Sequence, residues 1–223
     1  MEERRGAAAV RSGLLWPATE PEAQHVRQFL NETRPDTTGI FYSKDDTADK
    51  PVIEDHVFQS NSELVRTLQR ATRNNKSTVN SVNFTQAGIK KNKAGEHRRK
   101  LENIETLRSF WIDCDVRPGQ VGNYATYAAL LDHLEAFHEA VGISPSFVVD
   151  SGLGTHSYYS LGQDISYEDW KPIARELKLA MKNFGLLSDA GVSVSGNQPL
   201  RLPYSLNLKK GRPPKMLHFL FPN

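Results

Sequence analysis

The chain has 223 residues, 38% of them hydrophobic and 24% charged, with a formal net charge of +2. That length builds one good core, or one core with a small lobe, and so slight a charge excludes nucleic-acid binding by a global field, leaving only local basic patches. The single cysteine, Cys114, excludes an intramolecular disulfide and a Cys-rich zinc site.

Residues 1–18 read as a flexible N-terminal arm closed by Trp16-Pro17. Its short apolar stretches, with Arg11 between them, lack the core of a secretory signal. No window of the sequence approaches a membrane span, so the expected location is cytoplasmic. Glu20 to Leu30 has helical spacing, with Ala23, Val26, Phe29 and Leu30 on one side. Gly39 to Tyr42 is a short strand, and Lys44 to Lys50 is charged and turn-like. Leu64, Val65 and Leu68 mark a helix capped by Ser60 or Ser62. Thr78 to Phe84 alternates like a half-buried strand.

Lys90 to Lys100 is the most basic stretch. It is either a solvated loop or a phosphate-contacting segment, through Lys90, Lys91, Lys93, Arg98, Arg99 and Lys100. Asn123 to Ala140 predicts a long amphipathic helix, with Tyr127, Leu130, Leu131, Leu134, Phe137 and Val141 on one face and Gly142 as its stop. His133 and His138 within it are assigned no role. Phe147 to Val149 is a strand that turns at glycines and returns as His156 to Leu161. Ser166 to Asp169 is a capping box, with Asp in place of the usual Glu or Gln, and opens a helix ending near Gly185. The remainder is turn-rich, with a strand at Met216 to Phe221. Mixed helices and strands, with hairpins and crossovers, predict an α+β fold around an antiparallel or mixed sheet.

Three clusters carry chemistry. In the apolar run Phe110 to Val116, strand parity puts Phe110, Ile112, Cys114 and Val116 on one face and Asp113 and Asp115 on the other. Adjacent carboxylates repel unless a cation neutralises them, and paired acids at a strand end suit a hard divalent ion and a triphosphate. In Ser151-Gly152-Leu153-Gly154-Thr155-His156, the glycines let backbone N–H groups approach a phosphate, and His156 shares a face with Tyr158. Asp189, followed by Arg201 to Lys209, adds a further carboxylate and cationic groups for a triphosphate.

The order FWIDCD, DSGLGTHSYYSL, then Asp189 and RLPYSLNLK resembles the archaeo-eukaryotic primase superfamily, in particular the primase-polymerases of phages, plasmids and mobile elements. The resemblance runs from about Phe110 to Lys209. It implies an RRM-like catalytic unit over about 106–223, packed with an N-terminal α/β unit over about 19–105 and with the active site between them. It implies Asp113, Asp115 and Asp189 as catalytic ligands of two divalent cations, Mg2+ or Mn2+. Ser151, Gly152, Gly154, His156, Tyr158, Arg201, Asn207 and Lys209 would bind the nucleotide or line the primer side. Tyr204 and Ser205 stand where the family usually has Gly and Thr, and Tyr159 where Trp is frequent.

The expected activity is that of a DNA primase and polymerase: template-directed nucleotidyl transfer from NTPs or dNTPs on single-stranded DNA, making or extending primers. The expected partners are the template, the nucleotides, and a helicase or accessory domain of a longer replication protein. Two other classes fit parts of the sequence. A replication-initiator module would grip DNA without polymerising, and a metal-dependent nuclease would use Asp113 and Asp115 for cleavage.

Overall fold

The computed structural model describes residues 20–44, 53–73, 82–207 and 215–220. The expected N-terminal arm, the charged turn after Lys44, the start of the strand expected from Thr78, and Lys209 lie outside the described residues.

Helix α1 (Glu20–Thr33) buries Ala23, Val26, Phe29 and Leu30, the side that the spacing marked. It leads to an antiparallel pair, β1 (Gly39–Lys44) and β2 (Ile53–Phe58). Helix α2 (Asn61–Arg73) is capped by Ser60 rather than Ser62: Ser60 Oγ accepts from the Glu63 N–H at 3.2 Å, and the Glu63 carboxylate accepts from the Gln59 N–H at 2.6 Å. Strand β3 (Val82–Thr85) does not alternate; all four residues are buried, because the strand lies between two neighbours and is covered on both faces.

Strand β4 (Thr106–Asp115) precedes helix α3 (Tyr127–Val141). The helix starts later than its apolar spacing predicted. Tyr124 is held beside β4, its N–H on the Asp115 carbonyl at 3.0 Å, and Thr126 Oγ1 caps the first turn by accepting from the Ala129 N–H at 3.2 Å. Only Leu130, Leu134 and Phe137 of the expected apolar face are fully buried, and Val141 is exposed. Strands β5 (Phe147–Asp150) and β6 (Gly154–Ser166) follow, then α4 (Tyr167–Phe184). Ser166 Oγ accepts from the Asp169 N–H at 3.1 Å, as the capping box requires, and Gly185 ends the helix in the left-handed region. The last strand region is split among β7 (Pro199–Arg201), β8 (Leu206–Asn207), β9 (Lys215–Met216) and β10 (His218–Phe219). The single strand expected at 216–221 is broken because β9 and β10 pair in different sheets.

Among the described residues two four-stranded sheets result, ordered β2-β1-β3-β7 and β10-β5-β6-β4, with β8-β9 as a small third. Every pairing between these strands is antiparallel. Strand β7 arrives from the far end of the chain to complete the first sheet, so the two sheets are tied covalently on both sides. Phe29 of α1 packs edge-on against Phe84 in one sheet and against Phe147 and Tyr158 in the other, at centroid distances of 6.1, 5.4 and 4.9 Å. Helix α1 therefore plugs the space between the sheets. Helix α3 lies on the second sheet's opposite side, where His138 meets the Tyr159 hydroxyl at 2.7 Å. Among the described residues, no helix is long and apolar enough to cross a membrane.

Candidate active site

Asp113 on β4 stands directly opposite His156 on β6, and Asp115 opposite Gly154. The antiparallel register thus joins the first two sequence clusters side by side. Cys114, Ile112 and Phe110 are buried on the other face, as parity requires. Asp189 joins them from the loop after α4: its N–H donates to the Asp113 carbonyl at 2.8 Å. Arg201 comes from the first sheet, where it pairs with Asn83, and its charge acts on both Asp113 and His156.

Burial, then the charges of Asp115 and Asp189, push the Asp113 carboxyl up to about 7, against the opposing pull of Arg201 and Arg117. His156 Nε2 lies 3.6 Å from Asp113 Oδ1, within ion-pair distance. Yet burial, helped by Arg201, lowers the imidazole to about 3, so the ring is neutral and the contact is not a charge pair. His156 is 3% exposed, and its Nδ1 is buried without a hydrogen-bond partner. A buried polar atom without a protein partner calls for one from outside the chain, a water or a ligand atom.

The donor chemistry of Asp113, Asp115 and Asp189 fits hard divalent cations, since all three offer carboxylate oxygens and repel one another without a counter-charge. They do not form a preformed cage. Among the described residues, no group of three or more His, Cys, Asp or Glu side chains stands at metal-holding spacing. Two of the three carboxylates are engaged locally: an Asp115 oxygen is taken by the Arg117 guanidinium, and Asp189 Oδ1 accepts from the N–H groups of Gly191 and Val192 at 3.1 and 3.2 Å.

The glycine turn differs from its expected form. The Gly152 N–H donates to Asp150 Oδ1 at 2.6 Å, and the Ser151 N–H to the Gly154 carbonyl at 2.9 Å. Both of these donors are engaged within the turn. Gly154 is required by contact rather than by ligand: a Cβ there would sit 1.9 Å from the Cys114 carbonyl oxygen and 2.8 Å from Asp115 Cα. These are main-chain atoms of β4, which cannot yield without moving the strand, so Gly154→Ala is expected to destabilise the fold by about 1–3 kcal/mol or more, read as a lower midpoint in urea, and to displace Asp115 with it.

Tyr158 shares the His156 face but is fully buried against Phe29, so its ring offers no surface to a base. Asn207 donates from Nδ2 to the Ser151 carbonyl at 2.9 Å and keeps Oδ1 buried and unpartnered, so it braces the turn with one end and has an acceptor to spare. Tyr204 holds φ 61, the left-handed conformation that glycine adopts freely, and its ring packs on Phe219 at 5.8 Å. The basic stretch is built around Asn92, whose Oδ1 accepts from the N–H groups of Ala94 and Glu96. Arg98 pairs with Glu96, and Arg99 pairs with Asp55 while lying over the Tyr42 ring at 4.6 Å. Lys90, Lys91 and Lys93 are exposed.

Sequence reasoning missed three residues here. Asp150 sits immediately before the Ser-Gly turn, a position from which Asp commonly captures the N–H two residues on. Tyr127 donates its hydroxyl to the Gly154 carbonyl at 3.3 Å, a contact with no sequence signal. Arg117 continues the parity of Asp113 and Asp115 by one more step.

No protein-family model and no curated protein matches the chain. Solved structures do. The AEP domain of the cyanophage S-2L primase-polymerase aligns with a TM-score of 0.50 and 15% identity over 83% of this chain and 81% of that one. Primase RepB′ aligns with a TM-score of 0.53 and 15% identity over 89% of this chain and 55% of its own. Its catalytic domain in complex with initiator DNA aligns with a TM-score of 0.52 and 14% identity over 90% of this chain and 83% of its own. Likeness at this identity is one of fold: the chain has the α+β fold of archaeo-eukaryotic primase-polymerase catalytic domains.

Proposed function

We propose that the chain catalyses template-directed nucleotidyl transfer, joining NTPs or dNTPs to a primer 3′-hydroxyl on single-stranded DNA in replication. The observation that carries this reading is the opposition of Asp113 and His156 across one strand pair, with Asp189 bonded to the Asp113 backbone and Arg201 acting on both side chains. The fold supports it, as does the neighbour described in complex with initiator DNA.

Asp113, Asp115 and Asp189 would hold two divalent cations, Mg2+ or Mn2+, which when bound supply activation of the attacking hydroxyl and neutralisation of the leaving pyrophosphate. The neutral His156 ring can donate one N–H to a phosphate oxygen without adding charge. Arg201 balances the anionic side of the site. Tyr127 and Asp150 hold the turn that carries His156. Lys90, Lys91 and Lys93 offer exposed positive charge to a phosphate backbone.

The test is incorporation of labelled nucleotides on single-stranded DNA with magnesium or manganese, comparing the native chain with Asp115→Ala and Asp189→Ala. Elongated products that vanish in both variants are expected. Strand cleavage in place of elongation would make the site a nuclease, and metal-independent DNA binding without incorporation would make it an initiator module.

A further inference from the structure

Arg117 is the cation in direct contact with the acidic strand end. Extended backbone continues past β4 through Val116, which bridges to Tyr124, so side chains at 113, 115 and 117 project to one side. The Arg117 N–H donates to the Tyr124 carbonyl at 2.9 Å, which fixes its backbone. Its guanidinium bonds Asp115 Oδ2 and acts on the charge of Asp113, while its Nε is buried with no partner. The guanidinium therefore spends one arm on Asp115 and keeps a buried Nε donor that no group satisfies, beside a cluster of carboxylates.

A fold-stabilising staple is the simplest reason for such a pair, but it explains little here. The two side chains are 34% and 27% exposed, and partly solvated pairs add little to stability. The strand end is already held by backbone bonds to Tyr124 on both sides. What the pair does accomplish is to occupy the carboxylate that a divalent cation needs.

We infer that Arg117 is an exchangeable counter-ion: it holds Asp115 in the absence of metal, gives up that carboxylate to a divalent cation, and then presents its freed guanidinium to the nucleotide's triphosphate. Carboxylate and phosphate oxygens accept the same two-pronged guanidinium geometry, so the switch needs only a side-chain rotation. This rests on the reading of Asp115 as a metal ligand.

The experiment is titration with Mn2+ followed by the electron-paramagnetic signal of the free ion, on the native chain, Arg117→Gln, Arg117→Lys and Asp115→Asn. It is paired with calorimetric binding of dATP at saturating Mn2+. Circular dichroism checks that each variant is folded. Arg117→Gln is expected to bind Mn2+ roughly fivefold more tightly, the factor given by releasing a pair worth ~1 kcal/mol. It should bind dATP more weakly by on the order of tenfold, the loss of one charge-assisted contact. Arg117→Lys should return Mn2+ affinity toward native while leaving dATP binding impaired. Unchanged or weaker Mn2+ binding by Arg117→Gln, with Asp115→Asn impaired, overturns the exchange and leaves a staple. Tighter Mn2+ binding with native dATP affinity overturns the second role. If the native chain does not bind Mn2+, or Asp115→Asn binds as the native chain does, the metal-ligand reading itself fails and the exchange falls with it.

Discussion

Asp113→Asn is expected to abolish nucleotidyl transfer and to make the protein more stable, two effects of opposite sign from one atom change. On the proposed two-metal reading, loss of the carboxylate would remove a cation ligand and several kcal/mol of transition-state charge stabilisation, on the order of a 10³-fold fall in turnover or more. The stability gain follows from the carboxyl's raised pKa of about 7, caused first by burial and then by Asp115 and Asp189. In the unfolded chain the same group titrates near the ordinary Asp value of about 4. Between those two values the folded protein holds more protons than the unfolded one, so stability falls as pH rises through that window and the penalty is complete above it. An upper bound of about 4 kcal/mol follows from the size of the shift. With partial solvation and the imperfect fit of an amide, about 1–3 kcal/mol is expected for Asn at pH 8, a rise in melting temperature of roughly 2–10 °C.

His156 works in the other direction. Its folded pKa of about 3 lies below the ordinary His value, so the folded protein holds fewer protons there and loses stability as pH falls through that range. In native protein the two trends oppose each other between about pH 4 and 6.5. Asp113→Asn should remove only the Asp113 contribution, leaving a stability that falls steadily on acidification. Thermal melts from pH 4 to 8, with and without Mn2+, read all of this: added Mn2+ should raise the melting temperature of the native chain and not of the variant. A variant that melts lower than native at pH 8 and still extends primers would remove Asp113 from the site.

How much of this was legible in the sequence depended on whether the deciding interaction was local. Strand parity placed Asp113 and Asp115 opposite Cys114 because that rule needs only neighbours. The same rule put His156 and Tyr158 on one face correctly. It could not say that this face passes from site to core within two residues, because what covers Tyr158 is Phe29, from the other end of the chain. The spacing of α3 foretold its buried face but not its start, since a backbone bridge between Val116 and Tyr124 holds the preceding residues beside β4. Gly152 and Gly154 were read as making room for a phosphate. One N–H of the turn is instead consumed by Asp150, and the space at Gly154 is taken by the Cys114 carbonyl. The meeting of Asp113 with His156 is set by the register of β4 on β6, which no periodicity encodes. Motif resemblance put both residues in one active site without giving that register.

Arg34 is the strongest case of a residue that the sequence hides, and Arg34→Ala is expected to be the most destabilising single change outside the site. It follows α1 in a Thr-Arg-Pro-Asp stretch to which the sequence assigns no element or role, and it is fully buried. Its guanidinium lies over the Phe58 ring at 4.7 Å and bonds Asn61 Oδ1 and the carbonyls of Thr85, Thr37 and Ala87. Burial pulls it down to about 9, still charged at neutral pH, because Asp36 and Asp164 oppose the loss. One side chain thus ties the end of α1, the start of α2 and the exit of β3. Truncation leaves these buried acceptors without donors and opens a cavity beside Phe58, a loss of about 3–5 kcal/mol. Asn61→Ala removes the partner oxygen and also the bonds from Nδ2 to Leu30 and Asn31. Because both variants break the same link, the double variant should lose less than the sum of the singles by about 1–3 kcal/mol, measured from urea midpoints. Additive losses would mean that the link contributes nothing, and that each residue acts through its separate contacts alone.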